Sequence, residues 1–287
     1  MSRRRCAVWK TAISPRTPRR SKASGPRGAM SNIFDALKRR ERRREAAPAE
    51  GAIPLDPVDR AEVEPAAPLN FRISRELQRL RDRVDVELPR TRRRVLAVAA
   101  AVAGEGASTV CLQLARSMST EGQGKVLLID ADLDRAALTL TGAIHAAEGR
   151  PGLLDVLAGS VELSKAVLST DEPDLHFLPS GGDGLSTAGQ GRERATIPIE
   201  AMNDFLDDMS RVYRVVLVDC PSILEHPDSP ALAGLTDGVL LVVRANRTRR
   251  EIVQRALLLM RGARCPVLGI VLNQRRYPIP EFIYRRL

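Results

Sequence analysis

The stretch Ala101-Val-Ala-Gly-Glu-Gly-Ala-Ser-Thr-Val has the make-up of a loop that holds an anion. Gly104 and Gly106, with Glu105 between them, let the backbone turn its N–H groups towards one point. Ser108 and Thr109 open a helix, and a helix amino end favours phosphate. Against the spacing GxxxxGK[ST], Ala101 takes the first glycine position and Ala107 the lysine position. That lysine ordinarily reaches the β- and γ-phosphates as a point charge. One such contact at ~4 Å is worth about 4 kcal/mol at an effective dielectric of ~20. Even half of it is more than about a tenfold change in affinity. Lys125 is no substitute, because it precedes the next apolar run and lies outside the loop.

Three carboxylates accompany the loop. Val126-Leu-Leu-Ile-Asp-Ala-Asp puts Asp130 and Asp132 at the end of one apolar run. Val215-Val-Leu-Val-Asp-Cys-Pro puts Asp219 at the end of another. An apolar strand ending in Asp delivers its carboxylate to a cleft, where it holds Mg²⁺ directly or through water. A single such Asp is more often a cap or turn residue; three beside a glycine loop favour a site. Asn273 ends the last apolar run and could meet a base or ribose.

These residues need a scaffold, and the hydrophobic pattern supplies one. Short apolar runs occur at Val95–Ala101, Val126–Ile129, Leu175–Leu178, Val215–Val218, Gly238–Val243 and Val267–Leu272. Most are continuous rather than alternating, as suits strands buried on both faces of a parallel sheet. Between them run helical stripes: Val110, Cys111, Leu114, Met118; then Met202, Phe205, Leu206, Met209; then Ile252, Ala256, Leu259, Met260. A further helix is expected from Ser74 to Leu88. The alternation predicts a doubly wound α/β fold, a mostly parallel sheet with helices on both faces. Ligands in such folds bind at the carboxyl ends of the strands.

The bulk numbers restrict the rest. The 287 residues suffice for one large domain plus tails, and with 3% aromatic content the core must be mostly aliphatic. The net charge of +10 belongs to one end: residues 1–29 carry nine basic and no acidic residues, leaving 36 basic and 35 acidic elsewhere. Specific nucleic-acid binding is therefore not expected of the domain. Cys6, Cys111, Cys220 and Cys265 have no CxxC spacing, so buried reduced thiols are the expectation. No apolar run approaches the ~20 residues of a membrane span, and no apolar segment of a secretory signal follows the basic start.

The expected organisation is a disordered basic tail at 1–29, a short amphipathic helix at 30–46, a linker at 47–70, the domain at 71–275 and a tail at 276–287. Met1 and Met30 both stand as possible starts, with the segment after Met30 in favour of the second. Ser31-Asn-Ile-Phe-Asp-Ala-Leu reads either as a docking helix for a partner or membrane surface or as a frayed terminal helix.

In this order the motifs resemble the bacterial polysaccharide tyrosine kinases, the cytoplasmic ATPase module of capsule and exopolysaccharide co-polymerases, in the MinD/ParA-like group of P-loop proteins. The resemblance runs from about residue 71 to 274. It rests on Gly104-Glu-Gly-Ala-Ser-Thr, the two strand-end acid motifs, Pro151-Gly-Leu-Leu-Asp-Val-Leu-Ala-Gly, Leu175-His-Phe-Leu-Pro-Ser-Gly, Asp237-Gly-Val-Leu-Leu-Val-Val and Gly269-Ile-Val-Leu-Asn. It implies ATP and Mg²⁺ as cofactors, with Ser108 a Mg²⁺ ligand and Thr109 a phosphate contact. Asp130 and Asp132 become the Walker A′ acids, the catalytic pair if any activity survives. Asp219 becomes the Walker B acid, with Asp130 and Asp219 at the metal, and Asn273 lies near the adenine.

The departures fall on catalytic and assembly features. Ala107 replaces the lysine, and Asp134 stands where the Walker A′ arginine is expected. Ser222 replaces a proline after Asp219. A Glu-x-x-Arg-x-x-Arg motif is incomplete, with Glu76, Arg79 and then Asp82. Only Tyr277 and Tyr284 stand where a tyrosine cluster is expected. The expectation is a pseudokinase: a regulatory partner of a membrane polysaccharide co-polymerase, cytoplasmic and peripheral at the inner membrane, binding nucleotide weakly. A homo-oligomer stays open. Two alternatives stand beside it. One is an active ATPase or tyrosine autokinase in which Arg247, Arg249 or Arg250 replaces the lysine. The other is a MinD/ParA-type positioning ATPase, which the absent signature lysine (Val102 in its place) disfavours.

Overall fold

The computed structural model describes residues 75–88, 94–120, 122–136, 138, 150–181 and 196–274. The expected basic tail, amphipathic helix, linker and C-terminal tail lie outside these residues, as do Tyr277 and Tyr284.

Each apolar run becomes a strand: β1 (Val95–Ala100), β2 (Val126–Asp130), β4 (Leu175–Leu178), β5 (Val215–Asp219), β6 (Gly238–Arg244) and β7 (Val267–Asn273). A two-residue strand, β3 (Leu168–Ser169), was not foreseen. The sheet order is β3-β4-β2-β5-β1-β6-β7. All pairings are parallel except β3 with β4. The fold is thus the doubly wound, mostly parallel one expected.

Alternation along the strands assigns the two faces. Val95, Ala97 and Ala99 of β1 join one core with Met202, Leu206 and Met209 of α5 (Ile199–Val212) and Ala256 and Met260 of α7 (Arg250–Gly262). Leu96, Val98 and Ala100 join the other, with Val110, Cys111, Leu114 and Met118 of α2 (Ala107–Ser119) and Leu77 and Val84 of α1 (Arg75–Glu87). Cys111, Cys220 and Cys265 are buried free thiols, as expected. Asp85 of α1 pairs with Arg94, which stands just before β1. Glu76, Arg79 and Asp82 of the incomplete motif point to solvent.

The strand order explains the cleft. The chain leaves β1 towards β2 and β4, then returns through β5 to the far side, β6 and β7. Such a reversal leaves a crevice at the carboxyl ends of the central strands. There the loops after β1, β2 and β5 meet.

Two of the more specific sequence motifs also meet, at the carboxyl end of β4. The N–H groups of Leu153 and Leu154 donate to the carbonyls of Pro179 and Ser180 at 2.8 and 3.1 Å. Asp155, in α3 (Leu153–Leu157), accepts from the Gly152 N–H at 2.8 Å. A methyl at Gly152 would overlap the Pro179 carbonyl and the backbone of Gly181, and Gly181 itself has φ +77°. Gly152→Ala is therefore expected to destabilise the chain by about 3 kcal/mol, through overlap with backbone that cannot move aside. Urea unfolding would measure it, and an unchanged midpoint would show that the two segments are not locked together.

Candidate functional site

β1 ends at Ala100, and the chain turns through Ala101–Gly106 into α2. Gly104 and Gly106 have φ of +80° and +88°, the region that L side chains avoid. Gly106 caps α2 without a side-chain bond, so no capping group competes for the first amides of the helix. A Cβ at 106 would collide with the side-chain nitrogen of Asn273. Glycine is required there by φ, and a Cβ would in addition push the Asn273 amide from its place on the loop. Ala107 is buried in the first turn and packs in the core that contains Leu96 and Val98. Ser108 is half-buried, and Thr109 and Gly104 are exposed.

Glu105 behaves differently from the residues around it. Its side chain turns into the protein and is only 2% exposed. One carboxylate oxygen accepts from the N–H groups of Ala101 and Val102 at 2.9 and 3.0 Å. The other accepts from the Arg244 N–H at 3.3 Å and from the Thr248 hydroxyl. Its carbonyl accepts from Nδ2 of Asn273 at 2.8 Å. Glu105 therefore braces the loop against the ends of β6 and β7. Asn273 stands on the loop, and its Oδ1 is taken by the Gln274 N–H at 2.8 Å. Arg247, Arg249 and Arg250 lie at the β6–α7 turn behind this brace, all exposed.

Opposite the loop stand the carboxylates. Asp130 and Asp219 are register partners on adjacent strands, both fully buried, with Asp132 7% exposed. Burial, then the charge of Asp130, pushes the Asp219 carboxyl well above its ordinary value, with Asp132 adding to the effect. The Ser108 hydroxyl approaches and favours the charged form. Even so, neither Asp219 oxygen completes a hydrogen bond, and Oδ1 of Asp132 is buried and unpartnered as well. Burial raises the Asp132 carboxyl too, opposed by His226 and Arg135.

Buried carboxylates with unsatisfied oxygens are costly unless a cation completes them. Ser108, Asp219 and Asp130 fit Mg²⁺, which binds through one or two carboxylates and takes other ligands from phosphate and water. Among the described residues, no three His, Cys, Asp or Glu side chains form a cage that would hold an ion unaided. The ion would need nucleotide or water oxygens.

Beside Asp132 opens a cavity of about 140 Å³, with apolar walls that include Leu133, Ile197, Ile199 and Leu232. Its rim holds Asp134, paired with His226 at 3.5 Å. Sequence reasoning passed over Arg135 and Glu225. Glu225 accepts from the Ala103 N–H of the loop at 3.3 Å and from the Ser222 hydroxyl at 3.0 Å. Arg135 lies 3.8 Å from the same carboxylate. The spacing Ser222-x-x-Glu225 matches a capping box and was the available signal.

Residues 93–256 match a family described as an AAA domain. The tyrosine-protein kinase CpsD of Streptococcus agalactiae is 28% identical over 192 residues, 67% of this chain and 79% of the relative. The succinoglycan biosynthesis transport protein ExoP of Rhizobium meliloti is 31% identical over 183 residues, 63% of this chain and 22% of that longer protein. The crystal structure of the VpsO kinase domain superposes with a TM-score of 0.58 at 25% identity, covering 70% of this chain and 94% of that one.

Proposed function

The chain belongs to the AAA domain family, in the branch of bacterial polysaccharide tyrosine kinases, and from that premise we propose that it is a catalytically impaired member. In this reading it acts in exopolysaccharide or capsule synthesis as the regulatory partner of a membrane co-polymerase. The names of its relatives, a tyrosine kinase and a succinoglycan transport protein, support the pathway. One observation carries the impairment: a buried alanine, Ala107, occupies the lysine position of a loop otherwise held ready for phosphate. ATP and Mg²⁺ bind in this reading, but weakly. The protein sits at the inner membrane through its partner; no helix among the described residues is long and apolar enough to cross a membrane.

A second reading is an active ATPase or autokinase, favoured by the intact arrangement of Ser108 with Asp130 and Asp219. Isothermal titration of the chain with ATP and Mg²⁺ separates the two. The impaired reading expects Kd above about 100 μM, where micromolar binding is about −8 kcal/mol. Micromolar binding together with tyrosine phosphorylation on an anti-phosphotyrosine blot overturns it. Co-purification with a co-polymerase, independent of nucleotide, is the expected result for the partner role.

A further inference from the structure

We propose that Arg135 supplies the phosphate-binding cation that Ala107 no longer provides, and that Glu225 holds this arginine in reserve by standing in for phosphate. The inference rests on reading the Gly104–Ser108 loop as a phosphate site.

The geometry is a short chain of contacts across the cleft. One Glu225 oxygen accepts from the Ala103 N–H of the loop at 3.3 Å. The other accepts from the Ser222 hydroxyl at 3.0 Å and faces the Arg135 guanidinium at 3.8 Å. The guanidinium is thus one carboxylate away from the phosphate loop. Its charge also reaches Asp132, which it draws down against the effect of burial. Its backbone holds the same place, since the Arg135 N–H donates to the Asp132 carbonyl at 3.3 Å.

A carboxylate and a phosphate are alike as acceptors: each takes backbone N–H groups, and each takes arginine in a forked pair. Glu225 accepts the one loop amide and faces the guanidinium as a single ion pair at 3.8 Å, short of a fork. It also places a negative charge at the loop mouth. Incoming phosphate therefore meets a competitor already engaged on the loop. Both partners are half-exposed, with side-chain exposures of 50% for Arg135 and 43% for Glu225, so their pairing is screened and easily exchanged. When phosphate displaces Glu225, Arg135 is left beside it. Ser222 is what fixes the competitor, and it is one of the positions where the sequence departs from the family pattern. His226 and Asp134 pair with each other at 3.5 Å on the same rim.

The test is isothermal titration of the full chain with ATP and Mg²⁺, carried out in both the natural and the Ala107→Lys backgrounds. Arg135→Ala is expected to weaken binding about tenfold, as loss of a charge-assisted phosphate contact does, and Arg135→Lys to restore most of it. Glu225→Gln keeps size and removes the charge, and is expected to tighten binding at least about threefold. Binding unchanged by Arg135→Ala, or weakened by Glu225→Gln, overturns the proposal. If Ala107→Lys binds ATP and neither position moves it, this inference fails while the phosphate-site reading stands. If no chain binds, Ala107→Lys included, both fall. Melting temperatures of the variants, expected within a degree or so of the parent, exclude misfolding as the cause.

Discussion

Ala107→Lys is expected to tighten ATP binding by at least about tenfold, the equivalent of ~1.4 kcal/mol. The full contact of an ammonium with phosphate is about 4 kcal/mol at ~4 Å and an effective dielectric of ~20, and desolvation removes part of it. The turn of the loop itself need not be rebuilt. Gly104 and Gly106 already hold their left-handed conformations, and Glu105 already fixes the loop. Ala107 is 7% exposed, so the lysine stem has to pass the core before its ammonium reaches the cleft. There its charge also meets Asp130 and Asp219, and the melting temperature without nucleotide should rise as well. Titration calorimetry and thermal melting check both effects. An affinity within twofold of the natural chain would mean that the loop cannot deliver the ammonium to phosphate.

The second large effect runs in a less familiar direction: Asp219→Asn should stabilise the protein. Both oxygens of Asp219 are buried without a completed hydrogen bond, and Asp130 presses on it from the neighbouring strand. Its folded carboxyl therefore holds its proton more tightly than the unfolded chain does. The sign follows from linkage. The group's contribution is fully present below the unfolded value near 3.8 and is lost as pH rises through the raised folded value. Near neutral pH the natural chain carries the cost of holding that carboxyl in a buried site that opposes its ionisation, and the asparagine does not. A gain of about 2 kcal/mol, or roughly 5 °C in melting temperature, is expected at pH 7. The difference should shrink as pH falls towards 4. Added Mg²⁺ with ATP should stabilise the natural chain and leave Asp219→Asn unmoved. A variant less stable than the natural chain at pH 7 would show that Asp219 is satisfied by a partner in the folded state.

The sequence revealed what is local and periodic. All six long strands were foreseen within a residue or so, because continuous apolar runs leave a buried strand little alternative. α2, α5 and α7 followed from their stripes, although Leu259 of the last stripe is exposed, and α1 was expected over Ser74 to Leu88. The short elements were not legible. β3 has two residues, Leu168 and Ser169, too few for any period. α3, α4 (Leu163–Ala166) and α6 (Ser229–Gly234) span one or two turns each and are fixed by tertiary contacts. The site divides in the same way. Ala107, Ser108 and the three aspartates follow from motif and strand ends. The inward turn of Glu105 does not, since sequence places a carboxylate in the loop without saying which donors it finds. Glu225 lies further still from legibility. Its partners are 122 residues away at Ala103 and three away at Ser222, and only the second leaves a mark in spacing.

The Glu105 brace bears on how such a chain changes over generations. A loop that needed phosphate or lysine to keep its shape would lose stability when either was lost, and selection for folding alone would then guard the lysine. Here the shape is held from within, by a carboxylate on two loop amides and two anchors on the β6–α7 turn. The conformation of the loop is thereby held by contacts that do not involve the side chain at position 107. The brace thus keeps Gly104 and Gly106 in their left-handed turns with an alanine at position 107, so that a charge placed there would meet a loop already shaped.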